Sequence, residues 1–261
     1  DAPVVTGSTT NNLNEDTTYF VTSALKNQFS DVDGHTQTGA IITELPNAST
    51  GVLELNGQPL QVGTMITIAD IEANKVVLRP AASYVGPVVF KFKAVDTGTD
   101  NNESSVVTVT FNFVNVNDAP VITTSSTARS YTENATAIAA NDEITLSDID
   151  SANLTGATVQ ITTGLTTGDV LGFTDANGIT GTYDAATGKL TLNGSATVAQ
   201  YEAALRSVTY SSTSDNPTAT SATRTLSWQV NDGASTNNLS NTGTSNINLT
   251  ALNDAPVVSG G

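Results

Sequence analysis

The chain has no cysteine, one histidine, one methionine and one tryptophan in 261 residues. Without cysteine there can be no disulfide framework and no thiolate metal site. Lys and Arg number 9 against 25 Asp and Glu, a formal net charge of −16. Phosphate backbones call for clustered cations, so nucleic acid is excluded as a partner, and an anionic membrane surface falls with it. No stretch approaches the roughly 20 apolar residues of a helical span, so no direct membrane insertion is expected. No secretion signal opens the sequence. It starts abruptly at Asp1-Ala2-Pro3-Val4-Val5, which reads as a segment of a larger protein.

Catalytic signatures are missing too. There is no His-Glu-x-x-His, no Gly-x-Ser-x-Gly, no P-loop and no Gly-x-Gly-x-x-Gly after a strand. With His35 alone and no cysteine, the usual nucleophile-base pairs are nearly unavailable. The sequence reads as a non-enzyme. His35 itself reads as a solvated loop residue.

What is present is 38% hydrophobic residues, spread evenly, among abundant Thr, Asn, Ser and Gly. That mixture favours short strands joined by polar turns over long helices. Residues 88–95, 106–114 and 224–230 alternate apolar with polar, the period of half-buried strands. Gly188, after Asp184-Ala185-Ala186-Thr187, can supply the left-handed residue that closes a hairpin onto Lys189-Leu190-Thr191-Leu192. Many short strands with regular turn signals suggest a sandwich. One short helix is expected near 197–207, where Val198, Tyr201, Leu205 and then Val208 share a face and Thr197 with Gln200 makes a capping box. The first unit has only a turn-sized counterpart, at Ile68-Ala69-Asp70-Ile71.

An internal repeat organises the chain. Asn117-Asp118-Ala119-Pro120-Val121 recurs as Asn253-Asp254-Ala255-Pro256-Val257, and Asp1-Ala2-Pro3-Val4 is the same element without its Asn. Glu15-Asp16-Thr17 matches Glu133-Asn134-Ala135-Thr136, and Asp31-Val32-Asp33 matches Asp148-Ile149-Asp150. Asp96-Thr97-Gly98 matches Asp232-Gly233. Four elements in one order, twice, divide the chain into a first β-sandwich at 1–116, a linker at 117–120, a second β-sandwich at 121–252 and the start of a further linker at 253–261. The recurring acids cluster in sequence around these linkers. Pro120 fixes φ and biases Ala119 towards extended backbone, so the linker is short and stiff. Carboxylates brought together there repel unless a hard dication, which takes six to eight oxygens, turns repulsion into a clamp.

These marks resemble the cadherin family, specifically the cadherin-like tandem repeats of giant calcium-dependent bacterial adhesins of the RTX, type I secreted class. The resemblance covers both units nearly end to end. It implies an all-β chain of two tandem Greek-key β-sandwich domains of the cadherin/immunoglobulin-like type, the second with the short inserted helix. It also implies Ca²⁺ at the linkers. Carried over residue by residue, the central ligand set is Glu15, Asn117, Asp118, Asp148, Asp150 and Asp232, with Asn115 a weaker candidate through its backbone. The N-terminal edge has Asp1, Asp31, Asp33 and Asp96. The C-terminal edge has Glu133, Asn253 and Asp254, with Asp215 a possible addition. Animal cadherins carry an acidic pair before the penultimate strand. Pro80-Ala81-Ala82-Ser83-Tyr84-Val85-Gly86 carries none, so one or two ions per linker are expected rather than three.

The function implied is that of a calcium-rigidified extender on a bacterial cell surface, extracellular and secreted, projecting a distal ligand-binding region. Its partners are neighbouring repeats of the same chain, and the fragment is expected to be monomeric. The alternative is a module that itself recognises glycan or protein.

Overall fold

A computed structural model of the chain describes residues 1–26 and 29–255. The chain resolves into two compact units, Asp1–Val116 and Asn117–Gly261. The last part of the repeated linker, residues 256–261, lies outside the described residues.

In the first unit the alternating run at 88–95 falls inside the strand Gly86–Asp96. That strand pairs antiparallel with Val107–Val114 on one side and Gln37–Glu44 on the other. Ser8–Asn14 adds in parallel beyond Val107–Val114, and Met65–Thr67 closes the opposite edge. Successive side chains of a strand face opposite sides. Val88, Phe90, Phe92 and Ala94 accordingly point inward and are fully buried, while Lys91 and Lys93 point outward to Glu44 and Glu103.

The inward side meets a second sheet, ordered Tyr19–Phe20, Val76–Pro80, Gly51–Leu55 and Gln58–Pro59. Leu53, Val76 and Leu78 from that sheet join the phenylalanines in one core. Fully burying a side chain of this size contributes about 1.5–3 kcal/mol. Between Gln37–Glu44 and Gly86–Asp96 the chain passes back and forth between the two sheets, with Met65–Thr67 in the larger sheet and Gly51–Leu55, Gln58–Pro59 and Val76–Pro80 in the smaller, as Greek-key connections do.

The second unit repeats the arrangement. Its larger sheet runs Arg129–Thr132, Gly243–Thr250, Thr223–Asn231, Asn153–Thr163, Lys189–Thr197 and Thr180–Asp184, again with the first pair parallel. Its smaller sheet runs Ile138–Ala139, Thr209–Ser212 and Asp169–Gly172. Trp228, Tyr210 and Tyr201 are fully buried in the core between them. Both units are all-β Greek-key sandwiches, the fold class expected.

The helix spans Val198–Arg206. Thr197 Oγ1 accepts Gln200 N at 3.2 Å and Gln200 Oε1 accepts Thr197 N at 2.9 Å, which completes the capping box. Its smaller counterpart is Ile68–Glu72, capped by Thr67. Each follows the equivalent strand of its sheet: Met65–Thr67 pairs with Gln37–Glu44, and Lys189–Thr197 with Asn153–Thr163. A short helix at Thr22–Lys26 carries no signal in the apolar spacing. The extra length of the second unit includes the hairpin Thr180–Asp184 to Lys189–Thr197, where Gly188 takes φ +64°.

Candidate metal-binding clusters

Each Asp-x-Asp folds its first carboxylate inward. Asp31 Oδ1 accepts the N–H of Asp33 at 2.9 Å and of His35 at 3.1 Å. Asp148 Oδ1 accepts the N–H of Asp150 at 3.2 Å and of Ser151 at 2.8 Å. The residues between the paired acids turn outward, Val32 84% and Ile149 69% exposed. This is an Asx turn, in which a short acidic side chain replaces a backbone acceptor. It spends one oxygen on the turn. The other, Asp31 Oδ2 or Asp148 Oδ2, is buried and accepts no hydrogen bond from the described residues.

The acid at the end of the penultimate strand behaves alike in both units. Asp96 Oδ1 accepts Gly98 N at 2.7 Å, and Asp232 Oδ1 accepts Ala234 N at 2.7 Å. Asp96 is 3% exposed, and its Oδ2 is buried without a donor. Asp232 Oδ2 receives Asn117 Nδ2 at 2.9 Å. Asn117 Nδ2 also reaches the carbonyls of Thr236 and Asn237 at 3.2 Å, and Asn237 Nδ2 returns a bond to Asn117 O at 3.0 Å. Asp118 N lies 3.3 Å from Asp150 Oδ2. The second unit thus gathers Asn117, Asp118, Asp148, Asp150 and Asp232 at one end.

Burial pushes the Asp148 carboxyl up, and Asp150 beside it pushes the same way against the N–H donors of Ser151 and Asp150. In the first unit Asp31, Asp33 and His35 bring one ligand atom each to within 4.8 Å of the others, and the Asp1 ammonium pairs with Asp33.

The glutamates lie just past the strand that runs parallel to the last one. Glu15 is 3% exposed; its Oε1 accepts Val116 N at 2.9 Å and its Oε2 is buried with no donor. Glu133 is 2% exposed; its Oε2 accepts Leu252 N at 2.8 Å, and its Oε1 has no donor. Asn253 Nδ2 bonds Asp254 O at 3.2 Å, as Asn117 Nδ2 bonds Asp118 O at 3.0 Å, so the two linkers start with one conformation. Asn253, Asp254, Asp215 and Asn115 are exposed.

Among curated proteins the chain is similar to Halomucin of Haloquadratum walsbyi, 36% identical over 117 residues, which is 42% of this chain and 1% of that protein. Among solved structures, extracellular cadherin domains 1–4 of protocadherin gamma B7 align over 97% of this chain and 52% of theirs at 12% identity and TM-score 0.37. Drosophila N-cadherin EC1-4 aligns over 96% and 49% at 12% identity and TM-score 0.27. An endo-fucoidan hydrolase of glycoside hydrolase family 107 aligns over 96% and 29% at 16% identity and TM-score 0.30. No protein-family model matches. These likenesses carry no activity over to the chain.

The donor set fits a hard dication on its own terms. A buried carboxylate oxygen without a hydrogen-bond donor is costly, and several near one another repel. Ca²⁺ is bound by oxygen alone, from carboxylates, side-chain amides and backbone carbonyls. Asp31, Asp96 and Asp148 each keep one oxygen for such an ion after satisfying the backbone with the other. Two residues escaped the sequence reading. Asn237 holds Asn117, and its left-handed φ of +50° leaves only a weak mark, an Asn in a polar run. His35, read as solvated, is half-buried with Nδ1 3.6 Å from Asp31 Oδ1. The Asp-Gly turn at Asp33-Gly34 brings it back over the acid.

Proposed function

We propose that the chain is a calcium-binding extender segment of a large secreted surface adhesin of the bacterial RTX type, and that it acts without catalysing a reaction. The observation carrying this reading is the recurring set of carboxylates, Glu15, Asp31 and Asp96 in the first unit and Glu133 and Asp148 in the second. Each has one oxygen engaged by backbone and, among the described residues, one buried without a donor; Asp232, the counterpart of Asp96, accepts Asn117 Nδ2 on its second oxygen. The linker supports it as well. Glu15 ties Val116 into the first unit, and Asp232 and Asp150 receive Asn117 and Asp118 in the second. Ca²⁺ on these oxygens stiffens the chain where it passes from repeat to repeat. Halomucin is about a hundred times longer than the stretch that aligns with this chain, in keeping with service in a long protein. Among the described residues no helix is long and apolar enough to cross a membrane. Neighbouring repeats are the expected partners and the fragment itself a monomer.

Thermal unfolding and small-angle scattering of the chain in Ca²⁺ and in chelator test the proposal together. Ca²⁺ should raise the melting temperature and narrow the distribution of shapes. Identical melting and scattering in both conditions would reject it. Glycan or protein capture at the same Ca²⁺ concentration, with no change in scattering, would favour direct recognition instead.

A further inference from the structure

The two Asp-x-Asp clusters are not chemically equal. Two residues after Asp33 stands His35; two residues after Asp150 stands Ala152. We propose that the first unit's cluster is a mixed nitrogen–oxygen site that takes a borderline divalent transition ion of the zinc class in preference to Ca²⁺. The inference rests on reading the Asp31 cluster as a metal site and adds its selectivity.

Asp31, Asp33 and His35 place one ligand atom each within 4.8 Å of the others. The Asp31 side chain is wholly buried, and its Oδ2 has no hydrogen-bond partner. His35 Nδ1 is likewise buried without a hydrogen bond and stands 3.6 Å from Asp31 Oδ1. Asp31 Oδ1, at 3.6 Å, already serves the turn, so the bare Oδ2 of the same carboxylate is the oxygen left to share an ion with Nδ1, two ligands of a tetrahedral ion lying about 3.4 Å apart.

Asp96 borders the same space. A Cβ built on Gly98 would stand 3.0 Å from Asp96 Oδ1 and 3.2 Å from His35 Nδ1. Glycine keeps that space open between an acid and an imidazole.

Nitrogen decides the selectivity. Imidazole suits Zn, Cu and Ni, whereas Ca²⁺ takes oxygen ligands and gains little from a ring nitrogen. The second cluster has oxygen ligands throughout, so one chain would carry sites of two preferences.

His35 is the sole histidine, so its ring protons report unambiguously in the NMR spectrum of the tag-free chain. With Ca²⁺ saturating, one equivalent of Zn²⁺ should shift the His35 ring resonances beyond any change that Ca²⁺ alone produces. H35N should weaken Zn²⁺ binding on the order of tenfold or more, since even lost supporting contacts around a metal cost that much. Gly98→Ala, with no ligand removed, should also weaken it. Failure of Zn²⁺ to move the ring, or equal Zn²⁺ affinity in H35N, overturns the inference. Calcium uptake that survives in that case leaves the extender reading intact. A zinc-shifted ring in a chain that takes up no Ca²⁺ upholds the inference and removes the calcium function.

Discussion

Glu15 Oε1 accepts the backbone N–H of Val116 at 2.9 Å across 101 residues of sequence. The bond joins the start of the first unit to its last residue, and Glu133 with Leu252 repeats it. A buried N–H left without its acceptor costs about 1–3 kcal/mol. Glu15→Ala should therefore lower the unfolding free energy of the metal-free chain in urea by about that amount and speed amide exchange at Val116. Glu15→Gln keeps an acceptor oxygen and should cost less. Unaltered exchange at Val116 in the alanine variant would show that the glutamate does not pin the end of the unit.

Asp148 is in the opposite position, carrying a charge its surroundings disfavour. Burial pushes its carboxyl up, and Oδ2 has no donor. Asp148→Asn removes the charge and should leave the metal-free second unit as stable as the parent or more so. The same variant should lose much of the stabilisation by Ca²⁺, which for a site at 100 times its dissociation constant is about 2.7 kcal/mol. Paired melts in chelator and in Ca²⁺ check both signs. A variant equally stabilised by Ca²⁺ would take Asp148 out of the ligand set.

Period and punctuation made the strands legible. The runs at 88–95 and 224–230 sit inside strands because alternate residues can fill only one side of a sheet. Thr197 and Gln200 marked the helix start because the capping box is local chemistry. The acids of the clusters were legible through repetition alone. Their geometry was not, since which oxygen serves the turn and which stays bare depends on the fold. Val116 and Asn237 lie at sites that only long-range packing creates, whereas His35 is brought over Asp31 by a local turn. Sequence spacing does not encode that Asn117 meets Asn237.

Gly188 closes the hairpin at φ +64°, and a Cβ there would lie 2.8 Å from Leu165 Cδ1. Gly188→Ala meets both a disfavoured backbone conformation and a contact that must shift, together about 1–3 kcal/mol. The loss should appear as a lower melting temperature of the second unit, with Ca²⁺ affinity unchanged because the cluster residues are untouched. Reduced calcium affinity would mean that the hairpin supports the site.

The second unit also holds a buried ion pair outside the clusters. Arg224 is fully buried and Asp169 is 3% exposed; Arg224 Nε donates to Asp169 Oδ2 at 2.7 Å and Nη2 to Oδ1 at 3.3 Å. The remaining donors of Arg224 reach the carbonyls of Ser221 and Pro217 at 2.8 and 2.7 Å, which fastens the 217–221 loop over the core. Asp169 also accepts Tyr210 Oη at 2.7 Å and Thr166 N at 2.8 Å, and burial, the largest cause, together with the carboxylate raises the Tyr210 hydroxyl pKa. Every oxygen of the carboxylate is satisfied, so the desolvation of both charges is offset. Arg224→Met leaves that carboxylate buried and uncompensated, and should cost about 3–5 kcal/mol. Removing both charges in Arg224→Met with Asp169→Leu should cost clearly less than the two single changes added. Urea unfolding of the four proteins closes the cycle. Strict additivity would mean that loop and core are held by packing, with the ion pair incidental.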